Sequence, residues 1–114
     1  MTLKEGAGYD REMLSKTERQ LIQKKIQQKD GQYPIIFAAL GDISRFRIIL
    51  FLLEQPEVCV TDVANLLEIS VSAASQQLKI LELAQLLQKE RMGQMICYRL
   101  KKDNPLTAPI LKLL

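Results

Sequence analysis

The stretch SVSAASQQLKILELA, residues 70–84, has two different faces when it is read at helical spacing. Ala74, Leu78 and Leu81 fall at i, i+4 and i+7 and predict a buried apolar stripe. Ser70 stands at the expected N-cap, since its hydroxyl can accept a hydrogen bond from a free amide of the first helical turn. The other stripe is polar and has no carboxylate; its members are Ser72, Ser75, Gln76 and Lys79.

Small polar side chains near a helix N-terminus are suited to contact with DNA. They can approach base edges closely, and the helix N-terminus itself favours a phosphate group. We therefore interpret residues 70–84 as a DNA-recognition helix. The alternative is an amphipathic helix whose outer face is only solvated, but such a face is more often rich in Glu and Lys than in Ser and Gln.

A pair of helices is predicted ahead of this segment. The first helix, at residues 34–40, is apolar and is ended by Gly41. Asp42 is then predicted to cap the second helix, at residues 43–54, because its side chain can accept hydrogen bonds from first-turn amides. Four apolar residues of the second helix are expected in the core: Phe46, Ile49, Leu50 and Leu53.

The next segment predicts the first half of a helix-turn-helix. Residues 58–60 are β-prone, and Thr61 is predicted to cap a helix at residues 62–68. A tight turn at residues 69–70 joins that helix to the proposed recognition helix. Two short helices joined by a tight turn, the second with a polar face, form the helix-turn-helix pattern.

Residues 86–100 predict a β-hairpin, and a hairpin directly after a helix-turn-helix is a wing. Gly93 supplies its turn. Lys89 and Arg91 near the tip are expected to meet phosphate or enter a minor groove. Charged residues at a hairpin edge also protect it from aggregation, and both roles can hold together. One face of the second strand is expected to consist of Ile96, Tyr98 and Leu100.

Helices are also predicted towards both ends of the chain. Residues 1–9 are expected to form a flexible tail, followed by a helix at residues 10–30 with a narrow apolar stripe. A last helix is predicted at residues 104–114, although Pro109 leaves open a start only there. The first helix either packs on the chain's own core or forms the interface of a homodimer, and the last helix packs on the first helix or across that interface. The predicted interface residues are Leu14, Leu21, Ile22, Ile110 and Leu114.

Length and composition favour one mainly α domain, residues 10–114, with a small β-hairpin. No apolar run could span a bilayer and no signal-peptide pattern is present, so we expect a cytoplasmic protein without a membrane partner. Residues 70–102 contain six cations and two anions, a net charge of +4, whereas residues 41–69 carry −3. The positive charge is therefore concentrated where the DNA contact is predicted.

The residue set argues against an enzyme. The chain has no histidine and no glycine-rich phosphate loop, and its two cysteines have no obvious activating base. A winged helix that binds a protein instead of DNA remains the alternative function. Strong salt dependence of binding to duplex DNA would separate the two, because it arises from the release of counterions.

Three segments resemble the ArsR/SmtB family of winged-helix repressors. Residues 39–49, ALGDISRFRII, resemble the family signature ALaDptRlrIL, and residues 57–63, EVCVTDV, resemble its ELCVCDL segment. Residues 67–100 follow the family's recognition helix and wing without a gap. The resemblance implies a winged helix-turn-helix with added terminal dimerisation helices. It also implies a homodimer that binds a roughly palindromic operator in double-stranded DNA and represses transcription until a signal releases it.

We predict that the recognition helix reads bases and that cations hold phosphate. Ser72, Ser75 and Gln76 are the predicted base-reading residues, since a glutamine can pair with adenine through two hydrogen bonds. The complete predicted DNA-binding set is Ser70, Ser72, Ser75, Gln76, Gln77, Lys79, Lys89, Arg91 and Gln94.

The chain departs from the family where many members bind metals. Cys59 matches the first cysteine of ELCVCDL, Thr61 replaces the second, and no histidine is present for the other family site. Soft metals need several thiolate or imidazole ligands, so no metal and no cofactor is predicted. Cys59 and Cys97 are expected to be neighbours, because the strand before a helix-turn-helix commonly pairs with a wing strand. They are either a redox-sensing pair or two small buried hydrophobic residues.

Overall fold

The computed structural model describes residues 13–114. Contacts divide the chain into a unit that ends at Gly31 and a second unit, Gln32–Leu114. No helix within the described residues is long and apolar enough to cross a bilayer. The described elements are, in order, α1 (Lys16–Asp30), α2 (Tyr33–Leu40), α3 (Ile43–Glu54), β1 (Val58–Cys59), α4 (Val60–Leu67), α5 (Val71–Leu83), β2 (Leu87–Met92), β3 (Met95–Leu100) and α6 (Ala108–Leu113).

The first helix, α1, begins at a capping box. The Ser15 hydroxyl accepts from the Glu18 amide at 3.1 Å, and the Glu18 carboxylate accepts from the Ser15 amide at 2.8 Å. The predicted start at residue 10, like the predicted tail at residues 1–9, lies outside the described residues. Residues 13–15 are not helical, so the prediction was wrong there.

Helices α2 and α3 form the predicted pair, and the predicted Asp42 cap is confirmed. The Asp42 carboxylate accepts from the amides of Ser44 and Arg45 at 3.0 and 3.2 Å. The predicted core face of α3 was wrong except at Ile49, because the helix contacts α2, α5 and β3 through a neighbouring stripe. That buried stripe consists of Ile48, Ile49 and Leu52, whereas Leu50 and Leu53 are exposed.

The first helix of the helix-turn-helix begins two residues earlier than predicted. Cys59, not Thr61, is the N-cap of α4, and the Asp62 carboxylate accepts from the Cys59 amide at 3.0 Å. The Asp62 carboxylate, in the first turn of α4, thus satisfies the backbone amide at the junction between β1 and α4. This hydrogen bond requires the cap to be at residue 59 rather than at Thr61. After α4, Glu68 has a φ of +56° in the left-handed region, where a side chain is disfavoured.

The sheet is antiparallel, with strand order β1-β3-β2. Met92 lies opposite Met95 across the hairpin turn, where Gly93 has a φ of +67°. Tyr98 and Leu100 are buried as expected, but Cys97 on the other face of β3 is buried as well. The expected alternation fails there because Cys97 is bonded to the neighbouring strand.

The final helix, α6, takes the later of the two predicted starts. It begins at Ala108, with Thr107 as its N-cap and Pro109 in its first turn. Asn104 instead forms the preceding turn, its side-chain oxygen accepting from the amides of Leu106 and Thr107 at 2.8 and 3.3 Å. The predicted fold class, a mainly helical winged helix-turn-helix, is confirmed.

Candidate nucleic-acid interface

Helix α5 has the two faces predicted from its sequence. The Ser70 hydroxyl accepts from the Ala73 amide at 3.0 Å, which confirms the predicted N-cap. The apolar stripe of Ala74, Leu78 and Leu81 is completely buried. This burial against the core fixes the rotation of α5, so its polar stripe faces outward. The exposed members of that stripe are Ser72, Ser75, Gln76 and Lys79.

Gln77 lies apart from the exposed stripe. It is half-buried, and its side-chain oxygen accepts a hydrogen bond of 2.9 Å from Arg45 Nη1. Arg45 also donates through Nε to the carbonyl oxygen of Ala39 at 2.8 Å. Arg45 therefore links Gln77 on α5 to the end of α2, which fixes the position of α5.

The wing presents two cations on one face. Lys89 and Arg91 are exposed and stand two residues apart on β2, so their side chains leave the same side of the strand. Elsewhere in this region charge is paired: Arg99 contacts Glu90 at 2.9 Å and Glu57 at 3.5 Å. Within residues 13–114 no ion pair engages Lys89 or Arg91, nor Lys79 on α5.

A cavity of about 400 Å³ lies between the first turn of α4, α5 and the wing. Its lining includes Ser75 from α5, Lys89 from β2 and Gln94 from the hairpin turn. The structure thus brings these three predicted DNA-contact residues around one concavity. The cavity also has apolar walls, to which Val71, Met95 and Ile96 contribute.

Cys59 and Cys97 are neighbours, as predicted from the strand pairing. They lie directly opposite each other on β1 and β3, and the two sulfurs are joined in a disulfide. Their Cα atoms are 3.9 Å apart. Cys59 is 8% exposed and Cys97 is 1% exposed. The residues are both buried and bonded, and redox sensing by this pair stays a prediction.

Tyr98 also lines the cavity between α4, α5 and the wing. Burial raises the pKa of the Tyr98 phenol above 10.0, and the nearby Glu82 carboxylate raises it further. The phenol is therefore neutral at physiological pH and can donate a hydrogen bond.

The predicted dimer-interface residues are apolar side chains at the two ends of the described chain. Within α1, no residue is buried, and Leu21 is 58% exposed. In α6, Leu111 is buried, while Ile110 is half-buried. Their role in a dimer stays a prediction, as does that of the exposed residues Leu14, Ile22 and Leu114.

The chemical groups of this surface suit a polyanion better than a metal ion. Amides, hydroxyls and ammonium or guanidinium groups donate hydrogen bonds to phosphate and bases. Among residues 13–114, no group of three or more Cys, Asp or Glu side chains is arranged to hold a metal.

The chain is similar in sequence to bacterial transcriptional regulators. Residues 42–89 match the sequence model of the bacterial regulatory protein, arsR family. The arsenic resistance transcriptional regulator ArsR1 of Pseudomonas putida is 36% identical over 72 residues, covering 63% of this chain and 56% of that protein. The transcriptional repressor SmtB homolog of Synechocystis is 40% identical over 68 residues, covering 60% and 51%. The chain thus spans about half the length of the curated relatives it matches.

A solved structure agrees with the fold. The homodimeric winged helix-turn-helix DNA-binding domain of Mb0332 from Mycobacterium bovis, fragment 1–100, superposes with a TM-score of 0.63 at 22% identity. The match covers 89% of this chain and 83% of that one, and it bears on the fold alone. The fold is therefore a winged helix-turn-helix, and in sequence residues 42–89 are similar to regulatory proteins of the ArsR family.

Proposed function

We propose that this protein is a sequence-specific, DNA-binding transcriptional repressor. The observation that carries the proposal is the composition of the outward face of α5. Ser72, Ser75 and Gln76 are exposed there beside Lys79, on a helix fixed by a fully buried opposite stripe. Such side chains can enter a major groove and hydrogen-bond to base edges. Both sequence relatives are named as transcriptional regulators, and the Synechocystis protein as a repressor.

The wing supplies the non-specific part of the proposed contact. Lys89 and Arg91 are exposed on one face of β2 and have no ion-pair partner among the described residues. Unpaired cations of this kind neutralise phosphate and release counterions, which strengthens binding to any duplex. Because Lys89 shares a cavity with Ser75, the wing and the recognition helix would contact adjacent parts of the same DNA.

We propose further that the protein acts as a homodimer on a roughly palindromic operator. Exposed apolar residues at both ends, including Leu21 and Leu114, offer surface that a second copy would bury. The Mycobacterium bovis domain is homodimeric according to its description. In helix-turn-helix dimers the two recognition helices reach successive major grooves, which gives the operator its two-fold symmetry. The proposed place of action is the cytoplasm, where the DNA lies.

A second proposal concerns the signal, since the position of Cys59 favours a thiol signal over a metal. The Cys59 sulfur is bonded to Cys97, and Thr61 offers no thiolate beside it. We propose that no family-type metal site forms. Disulfides in cytosolic proteins are usually transient and catalytic or redox-sensing. Opening and closing this bond would change how β1 holds the wing and so change DNA affinity.

Fluorescence anisotropy tests both proposals. The full chain is titrated with duplex DNA from upstream of its own gene and with random duplex DNA, under oxidising and under reducing conditions. Preferential binding to the upstream DNA supports the repressor, and a reversible dependence on the thiol state supports the redox proposal. If the preference for upstream DNA is the same with oxidant and with reductant, the redox proposal is wrong and the repressor proposal stands. No binding to either DNA favours the alternative of a protein-interaction module.

A further inference from the structure

The first residue of α5 is an exposed apolar side chain. Val71 directly follows the N-cap Ser70 and is 54% exposed. The buried stripe of α5 consists of Ala74, Leu78 and Leu81 and does not include it. Packing on the core therefore does not account for a valine at this position.

Val71 belongs to the surface that is proposed to contact DNA. Val71 and Ser75 stand at i and i+4, so they are neighbours on one side of α5. Both line the cavity between α4, α5 and the wing, and Lys89 and Gln94 line it as well. The valine thus lies among three residues that are already assigned to DNA.

The wing adds a second exposed apolar side chain to this cavity. Met95, beside the hairpin turn, is 51% exposed and lies in the same wall as Val71. A ligand that matches the surface therefore offers apolar groups as well as hydrogen-bonding groups. In a major groove the base edges present donors and acceptors together with one apolar group, the C5-methyl of thymine.

We propose that Val71 contacts the C5-methyl group of a thymine, so that each half-site of the operator carries a thymine beside the base that Ser75 reads. The inference rests on the proposed DNA-binding function and names one base of its preferred sequence. The branched valine side chain has one strongly preferred rotamer in a helix, so the contact costs little conformational entropy. Side chains at i and i+4 are about 5–6 Å apart at Cβ, which is close enough to meet neighbouring base pairs.

Replacement of thymine by deoxyuridine tests the contact directly. Deoxyuridine keeps the base pairing and the O4 acceptor of thymine and removes only the C5-methyl group. The full chain is titrated by fluorescence anisotropy with duplex DNA from upstream of its own gene, in the thymine and in the uracil form. Because the burial of one methyl group corresponds to about a fourfold change in affinity, we expect uracil DNA to bind about fourfold more weakly for each half-site contacted.

A pair of variants on the same helix shows whether Val71 is responsible. Val71→Ser removes both methyl groups and should bind the thymine and uracil forms with equal affinity. Leu83→Ser is the matched control, because Leu83 is a 67% exposed apolar residue at the other end of α5. It should keep the wild-type ratio between the two forms. Circular dichroism checks the folding of both variants, and if Val71→Ser does not fold, Val71→Thr replaces it and should show a smaller ratio than wild type.

Three results would overturn the inference. The first is equal affinity of the wild-type protein for the thymine and uracil forms. The second is a loss of the same size on both forms in Val71→Ser, which would place the valine against deoxyribose instead of a base. The third is a thymine preference that Val71→Ser retains, because another residue would then make the contact.

The same titrations separate this inference from the proposed function. If the wild-type protein prefers the upstream DNA over random DNA but binds its uracil form equally well, the inference alone is wrong. If the protein binds no duplex DNA, the proposed function and the inference are both wrong. Where the thymine preference is present, replacement of one thymine at a time should locate a single sensitive position in each half-site.

Discussion

Arg45 on α3 and Gln77 on α5 are joined by a hydrogen bond of 2.9 Å between Nη1 and the side-chain oxygen. The same guanidinium donates to the carbonyl oxygen of Ala39 at the end of α2, at 2.8 Å. One side chain thus links three helices and sets the position of the helix proposed to read DNA.

Replacing Arg45 should destabilise the fold. Arg45→Ala removes three side-chain hydrogen bonds, to Gln77, to the Ala39 carbonyl and to the Ala38 carbonyl, and leaves these acceptors without that donor. We therefore expect the free energy of unfolding to fall by about 2 kcal/mol. Arg45→Lys should not restore it, because an ammonium cannot reproduce the planar fork. Urea denaturation measures the change. Arg47→Ala, at an exposed arginine on the same helix, is the control and should stay within about 0.5 kcal/mol of wild type.

The turn of the helix-turn-helix should become more stable when Glu68 is replaced by glycine. Glu68 has a φ of +56°, a conformation that costs a residue with a side chain about 1–2 kcal/mol and glycine almost nothing. Part of this gain is lost to the greater freedom of glycine in the unfolded chain, so we expect a net gain of about 0.5–1 kcal/mol. Thermal unfolding measures it. Glu68→Ala keeps the strain, and an equal gain in that variant would contradict the explanation.

Gln76→Ala should relax sequence preference. Gln76 is exposed in the middle of the proposed reading face, and one well-formed pair of hydrogen bonds to a base contributes about 1–3 kcal/mol of discrimination. We expect the affinity difference between operator and random DNA to shrink by that amount in anisotropy titrations. Gln55→Ala, at an exposed glutamine after α3, is the matched control. If Gln76→Ala instead lowers the affinity for operator and for random DNA equally, residues other than Gln76 read the bases.

Arg91→Ala should weaken binding to operator and to random duplex DNA by about the same factor. Its exposed guanidinium on the wing has no ion-pair partner among the described residues, and it is assigned to phosphate. We expect the slope of log affinity against log salt concentration to fall by about one unit. Lys102→Ala removes an exposed cation beyond the opposite end of β3 and should leave the slope unchanged. If the two variants behave alike, the wing has no special part in binding.

The Tyr98 phenol should lose its proton at a higher pH than an ordinary tyrosine does. Its folded-state pKa is raised above 10.0 by burial and by Glu82, so the native chain holds this proton longer than the unfolded chain does. The stability gained is fully present below about pH 10 and is lost as pH rises through the folded-state pKa. Ultraviolet titration of phenolate, with Tyr98→Phe subtracted, measures the shift. Ionisation of Tyr98 at or below the ordinary tyrosine pKa would contradict it.

The fold could be predicted where local signals were strong. Caps at Asp42 and Ser70, the spacing of Ala74, Leu78 and Leu81, and Gly93 in the hairpin turn all belong to short segments. Their chemistry does not depend on distant residues, and the structure confirms each of them. The start of α1 was equally local, since Ser15 and Glu18 form a capping box, whereas the prediction followed the lack of Gly and Pro from residue 10 onward.

The errors and omissions arose from contacts between distant segments. The buried face of α3 depends on where α5 and β3 pack, which the spacing of apolar residues in one helix does not decide. Gln77 carries the same side chain as Gln76, and only its bond to Arg45 separates their surroundings. The cavity beside Cys59 is built from four segments, so no single stretch of sequence indicates it.

The Cys59–Cys97 bond also changes the connectivity of the chain. With a sequence separation of 38, it closes a covalent ring that contains α4, α5, β2 and the first residues of β3. A protease that cuts the exposed hairpin turn at Gly93 would therefore open the ring without dividing the molecule. The two fragments would migrate as one species in a non-reducing gel and separate only after the disulfide is reduced.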